Sequence, residues 1–361
     1  MFGRMMNNFY YGKSGKGDFR KEDLPKNRWQ LFWEMLRVRF AALCRLNLMT
    51  VAAWLPLIIV VGIFITNVIS VLNNQLQFQA YMENGALTES FTEESVNRLA
   101  QAGITDMDTM NKVSFDIIRV ELNKMLLLLI PCILITGPVQ AGLAYVTRNW
   151  SRDEHAFIWS DFKDAVKENW KQGLGVSAIT SLLPIILYVG YQFYGQQAQT
   201  NVIFMVPQML LVMICVVWAL SLVFMYPMMV TYKVSFGQLI KNSMVMAIGR
   251  LPQTVGIRLL MLVPAMIAGV VFFFTGSLIA LLVLGAYYIL FGFAFFRFVA
   301  ASYTNGVFDK FINSHMEGVE INRGLASEDD EDEDEEEHPL KLLQLWQTLN
   351  TTQSRPNGPE P

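Results

Sequence analysis

The sequence predicts an all-α, polytopic membrane protein with six transmembrane helices and amphipathic cytoplasmic surface helices. Three observations carry this. Hydrophobic residues make up 53% of the 361 positions and charged residues only 16%, with a mean hydropathy of +0.33, whereas soluble domains carry about 25% charge. Six stretches reach the roughly 20 apolar residues that a helix needs to cross a bilayer. Lysine and arginine are also distributed unevenly among the connections, which sets orientation by the positive-inside rule.

The spans fall at 46–72, 123–147, 173–195, 202–231, 254–275 and 277–302. Thr275-Gly276-Ser277 is the one break between the last two, so they form a tight hairpin. Ten basic residues between Arg4 and Arg45 precede the first span. Five occupy the second connection (Arg148, Arg152, Lys163, Lys167, Lys171) and three the fourth (Lys233, Lys241, Arg250), while the third and fifth carry none. The long first connection holds only Arg98, Lys112 and Arg119 before Lys124. Both termini are therefore expected in the cytoplasm of a multi-pass plasma-membrane protein. The chain divides into an N-terminal segment with an amphipathic helix (1–45), a membrane domain (46–303) with an external loop at 73–122, and a cytoplasmic tail (304–361). In that loop Thr92 is positioned to cap a short helix ending at Gly103. Thr105 to Asp108 start another that runs into the second span, so the loop reads as a small ordered cap.

The net charge of −3 conceals a basic protein. Ten of the 31 acidic side chains form one run at 328–337, and the other 21 are outnumbered by 28 lysines and arginines. The first 28 residues are polar and lack the apolar core of a cleavable signal peptide. Cys44, Cys132 and Cys215 lie in or beside apolar segments with no paired spacing, which indicates neither a disulfide framework nor a zinc site.

Residues 152–162 read RDEHAFIWSDF and follow the second span directly. Ser160 reads as an N-cap. Phe162, Ala165, Val166, Asn169 and Trp170 then recur at helical spacing, opposite Lys163, Asp164, Lys167, Glu168 and Lys171. Such a helix lies at a membrane interface, with rings at headgroup depth and lysines toward anionic lipid. His155 has no second histidine near it and no nucleophile with an evident base, so no catalytic, metal or cofactor site is assigned. The stretch reads as a structural or docking surface, with His155, Trp159, Asp161, Phe162 and Trp170 as its candidates.

Similar surface helices precede the first and fifth spans. One places Leu31, Phe32, Met35, Leu36 and Phe40 on one face. The other places Phe236, Leu239, Ile240, Met244, Ala247 and Ile248 likewise, and Phe236 joins the docking candidates. Each leads into a span with a central proline, Pro56, Pro184 or Pro264. This is either a threefold repeat or the common grammar of helical membrane proteins. Pro131, Pro138, Pro207 and Pro227 are expected to kink the return spans. No charge lies at mid-bilayer. Arg258 and Arg297, near the cytoplasmic ends of their spans, are expected to snorkel outward, which argues against an ion-coupled transporter. AIGRLP at 247–252 resembles part of the coupling loop of an ATP-binding-cassette permease subunit, without its Glu-Ala-Ala start, and there is no GxxxxGK[ST] phosphate loop.

In the tail, the acidic run self-repels and reads as a disordered spacer. It is followed by an amphipathic helix at 339–350, where Leu342, Leu345, Trp346 and Leu349 form a stripe suited to docking.

GKGDFRKEDLPKNRWQLFWEML at 15–36, the LNL of Leu46 to Leu48, and GPVQAGLAYVTRNWSRDEHAFIWSDFKDAVKENWKQ at 137–172 resemble the YesL-like family of Gram-positive bacterial integral membrane proteins, a domain of unknown function. The similarity covers 1–70 and 120–310; the insertion at 73–116 and the tail depart from it. The resemblance implies a multi-span protein, often encoded beside carbohydrate uptake and degradation genes, with an accessory or regulatory role and no established site. The expectation is thus a non-enzymatic accessory protein embedded in the lipid bilayer. Its partner would be a cytoplasmic or membrane protein, such as a carbohydrate transporter component, and no nucleic-acid partner is expected. The alternative is a permease-type subunit lining a solute pathway.

Overall fold

The computed structural model describes residues 24–326. The first 23 residues, the acidic run and the 339–350 helix with Leu342, Leu345 and Trp346 lie outside the described residues. The fold is all-α and polytopic, with six helices long and apolar enough to cross a membrane. Helix α1 runs from Arg28 to Asn84, α2 from Glu93 to Gln101, α3 from Met107 to Ser151 and α4 from Ser160 to Ala198. They are followed by α5 (Met205–Thr231), α6 (Phe236–Gly249) and α7 (Leu251–Thr275). The sixth span combines α8 (Ile279–Tyr287), a π turn (Tyr288–Gly292) and α9 (Phe293–Phe311).

Local chemistry accounts for most boundaries. The Asn27 side chain accepts the Gln30 amide at 2.9 Å and starts α1. Thr92 and Ser95 form the capping box of α2, and Gly103, at φ +82°, ends its turn. Ser235 and Gln238 do the same for α6. Between α7 and α8 the amide of Gly276 closes on Phe272 O at φ +63°, a conformation that favours glycine. Ser160 proves to be the first residue of α4 rather than its cap. The segment is held instead by the Asp161 carboxylate, which accepts the Phe157 amide at 2.9 Å.

Two of the three surface helices are not separate elements. Residues 28–45 and 160–172 continue without a break into their spans, so α1 reaches 57 residues, about 86 Å at 1.5 Å per residue. Neither junction contains a proline. The third junction has Pro252 in the first turn of α7, and Arg250 leaves helical geometry before it, so α6 stands alone. The apolar faces also shift: Leu31 and Met35 are buried, as are Leu239 and Ala247, but Phe40 and Ile248 are exposed. Among the expected kink prolines, Pro131, Pro138 and Pro227 lie inside helices, whereas Pro207 sits in the first turn of α5, where no amide partner is lost.

The described residues form two compact units. The first comprises 24–41, 149–155 and 302–326 and is held by paired charges. Arg28 meets the buried Asp309 at 2.6 Å and donates to the Asn322 side chain at 2.7 Å. Arg152 and Arg323 share Glu154 at 3.2 and 3.5 Å. Asn305 donates to Ser151 Oγ at 2.7 Å.

The second unit, 42–148 and 156–301, contains the apolar spans. Helices α3 and α4 approach closely at Gly137 and Gly173. A Cβ on Gly173 would stand 2.9 Å from the Gly137 carbonyl oxygen, and Ser177 Oγ donates across to Leu134 O at 2.8 Å. On the long first connection, Phe78, Phe91, Ile104 and Met110 bury one another in a small core of its own. The fully buried Asn47 of α1 clamps the π turn. Its Nδ2 donates to Tyr288 O at 2.9 Å and Ile289 O at 2.7 Å, and its Oδ1 accepts the Ala294 amide at 2.9 Å.

Two predictions follow from these contacts. Asn47→Leu strands two carbonyls and one amide in a low-dielectric interior, at about 1–3 kcal/mol for each group left unsatisfied. Thermal unfolding in detergent should show a large fall in melting temperature. Asn67→Leu should cost less, because Asn67 bonds only one side chain, Glu121. Equal effects would contradict the clamp. At the start of α3, the Thr109 amide and then its hydroxyl hold the Asp106 carboxyl below the usual carboxylate range. This contribution is present above the unfolded pKa and lost as pH falls through the lower folded value. Asp106→Ala should therefore speed amide exchange at Thr109 and Met110 at pH 7. Wild type and variant should converge well below pH ~4.

Candidate functional site

The residues singled out around RDEHAFIWSDF have different fates. Arg152 and Glu154 are tied into the ion-pair cluster of the first unit, and His155 is exposed. Phe162 is 9% exposed and packs its ring over Gly142, while Phe236 packs over Gly175. These two rings fill gaps against neighbouring helices. Trp159 at 64% and Trp170 at 48% exposure remain on the surface, the latter with the Lys171 ammonium 5.6 Å from its ring.

A different set of residues, scattered through the sequence, lines a partly open cavity of about 360 Å³ in the second unit. That volume lies within the range of small-molecule sites. Trp54 of α1 stacks on Phe293 of α9, with ring centroids 4.3 Å apart. Thr136 and Gln140 come from α3, and Ser177 and Thr180 from α4. The Thr180 hydroxyl accepts the indole Nε1–H of the buried Trp218 at 3.0 Å. Tyr226 of α5 is buried. Apolar wall comes from Leu57, Ile133, Met261 and Phe296.

Arg258 and Arg297 line this cavity too, which changes the picture of an uncharged interior. Arg258 is the eighth residue of α7, about 10 Å along the helix from Leu251. It turns inward: its Nε donates to the Ala219 carbonyl of α5 at 3.0 Å, and a terminal nitrogen bonds the same oxygen. Arg297 bonds the Gln140 side-chain oxygen through Nε, and its guanidinium lies 4.3 Å from the Tyr226 ring centroid. Among the described residues no aspartate or glutamate lines the cavity. Both arginines were expected to snorkel outward. Partners on other helices, Ala219, Gln140 and Tyr226, hold them inside instead.

The π turn is part of this geometry, since Tyr288, Phe293, Phe296 and Arg297 all face the cavity. Insertions of this kind recur at functional sites. Asn47 carried the one local signal in the sequence, an amide at the start of an apolar span. Nothing local in the sequence ties that amide to residue 288.

Residues 119–191 match the model of a family described as a protein of unknown function, DUF624. The matched segment holds the Gly137–Gly173 crossing and four polar cavity residues, Thr136, Gln140, Ser177 and Thr180. No curated protein and no solved structure matches the chain.

The contrast between the two aromatic candidates can be measured. Phe162→Ala should destabilise the folded protein by ~3–5 kcal/mol, as for other buried phenylalanines. Trp159→Ala should stay within about 0.5 kcal/mol of wild type. Chemical-denaturant titration of the detergent-solubilised protein reads both, and a larger loss for Trp159→Ala would reverse their assignment.

Proposed function

We propose that this chain is a non-enzymatic membrane component whose six-span unit takes a small solute into the Trp54–Arg297 cavity. The setting implied by its sequence resemblance is carbohydrate uptake, where it acts beside a transporter component or lines part of a solute pathway. The observation that supports this reading is the cavity itself: polar side chains from α3, α4, α5, α7 and α9 converge on one partly open volume among apolar spans. Polar groups at membrane depth that face a shared cavity mark binding sites and pathways. A purely scaffolding bundle would fill this volume with aliphatic side chains. The exposed Trp159 and Trp170 favour a second role for the same molecule, docking of a partner protein at that surface.

The Lys/Arg asymmetry favours a cytoplasmic location for both termini. Single cysteines at Asn97 and Ser314, in a background with Cys44, Cys132 and Cys215 replaced, test this on whole cells. An impermeant maleimide should label Asn97→Cys and spare Ser314→Cys; the opposite pattern inverts the orientation. The cavity is tested by cysteines at Leu57 and Leu222, which line it, and at Ile59, which is exposed and not among its lining residues. In proteoliposomes, water-soluble methanethiosulfonates should modify Leu57→Cys and Leu222→Cys and leave Ile59→Cys unreacted. If Leu57→Cys is as inert as Ile59→Cys, no solute reaches the cavity and the proposal fails.

A further inference from the structure

Resting on the solute-binding reading, the geometry points to an organic oxyanion, a carboxylate or phosphate on a small apolar body, as the ligand of the cavity. Arg258 and Arg297 bring two positive charges to one volume of about 360 Å³. Their bonds go to neutral partners, the Ala219 carbonyl, the Gln140 amide and the Tyr226 ring. Elsewhere the same chain pairs its arginines with acids: Arg28 with Asp309, and Arg152 and Arg323 with Glu154. Among the described residues that line the cavity there is no such acid.

Like charges in a low-dielectric enclosure repel, and dipoles relieve that only in part. An entering anion neutralises both. Guanidinium is suited to planar or tetrahedral oxyanions, because its fork of N–H donors matches two oxygens at once. One terminal nitrogen of Arg258 is engaged by Ala219, and Arg297 is anchored through Nε, which leaves donors on each to face the cavity. The hydroxyls of Thr136 and Ser177 already donate to helix carbonyls, Ile133 O at 2.7 Å and Leu134 O at 2.8 Å. Their oxygens turn lone pairs, not protons, toward the volume, so the arginines supply the strong donors. Leu57, Ile133, Met261 and Phe296 favour an apolar remainder over a bare inorganic ion.

Two sources share this chemistry, a lipid headgroup and a soluble solute, and a charge-selective labelling experiment separates them. Full-length Leu57→Cys, otherwise cysteine-free, is reconstituted in phosphatidylcholine vesicles. It is treated with the anionic 2-sulfonatoethyl and the cationic 2-(trimethylammonio)ethyl methanethiosulfonate, and rates are normalised to free thiol. The anionic reagent should react roughly tenfold faster, as expected for charge focusing in a low-dielectric cleft. Arg258→Gln with Arg297→Gln should bring the ratio near one, and the double lysine variant should restore it. Inorganic phosphate and benzoate, at constant ionic strength, should slow the modification where chloride does not, benzoate more strongly. Protection by phosphatidylglycerol without added anion assigns the site to a headgroup, and protection only by benzoate or phosphate assigns it to a soluble solute; either supports the inference. Equal rates for the two reagents in the arginine-intact protein overturn the anion assignment and leave solute entry standing. A Leu57→Cys inert to both defeats solute entry, and the anion with it.

Discussion

The hydrogen bonds of Asn47 to the π turn decide what the sixth span can present to the others. Inside a membrane every backbone donor and acceptor needs a partner from protein, because lipid offers none. A π turn breaks the regular ladder and leaves carbonyls and amides to be met from outside the helix. Asn47 meets three of them, two carbonyls with its amide nitrogen and one amide with its oxygen. The extra residue accommodated there advances everything after it by about 100° around the helix. In an uninterrupted α-helix Arg297 would point to a different face. The clamp on α1 thus sets the orientation of a guanidinium on α9 that bonds Gln140 on α3 and lies on Tyr226 of α5. Two side chains, Asn47 and Arg297, thus connect four helices that border the cavity.

How much of this could be read in advance depends on whether a signal is local. The six spans were legible because 20 consecutive apolar residues are a local property, and α2 because Thr92 stands where it can cap a helix that Gly103 ends. The hairpin at Gly276 was legible for the same reason. The inward face of each span was not. A helix such as α5, apolar nearly all round, has no periodicity to say which side is packed. Burial of Trp218, Phe224 and Met228 is decided by neighbours that are distant in sequence. Arg258 and Arg297 show the limit most clearly. Each lies near a span end, the usual place for snorkelling, and partners 39 and 157 residues away turn them inward. Continuity of α1 and α4 was missed for a different reason: polar composition changes along both helices, but no residue stops them.

The two units handle charge in opposite ways. In the first, arginines and acids are matched within hydrogen-bond distance, Asp309 alone being bonded by Arg28, Asn313 and the Asn322 amide. That cluster uses Arg152 and Glu154, so the leading residues of RDEHAFIWSDF serve as a structural fastener. In the second unit the cavity arginines receive only dipoles and a ring. Truncating one member of a matched pair leaves a buried charge stranded, so the first arrangement resists change in its surroundings. The second would gain from it under the proposed anion binding, since an entering oxyanion would neutralise the two arginines.

That asymmetry gives the cavity a direction of response. A ligand that neutralises Arg297 weakens the need for its contact with Tyr226 and Gln140, and any release is felt by the helix whose register Asn47 fixes. The contacts that a bound anion would compete with, those of Arg297 with Gln140 and Tyr226, all lie within the second unit. Coupling requires that the ligand interact differently with two arrangements of the same elements, and a guanidinium that must choose between a neutral ring and an anion meets that condition. The π turn itself is held in one register by the three Asn47 hydrogen bonds, and shifting its irregularity by one residue would break them.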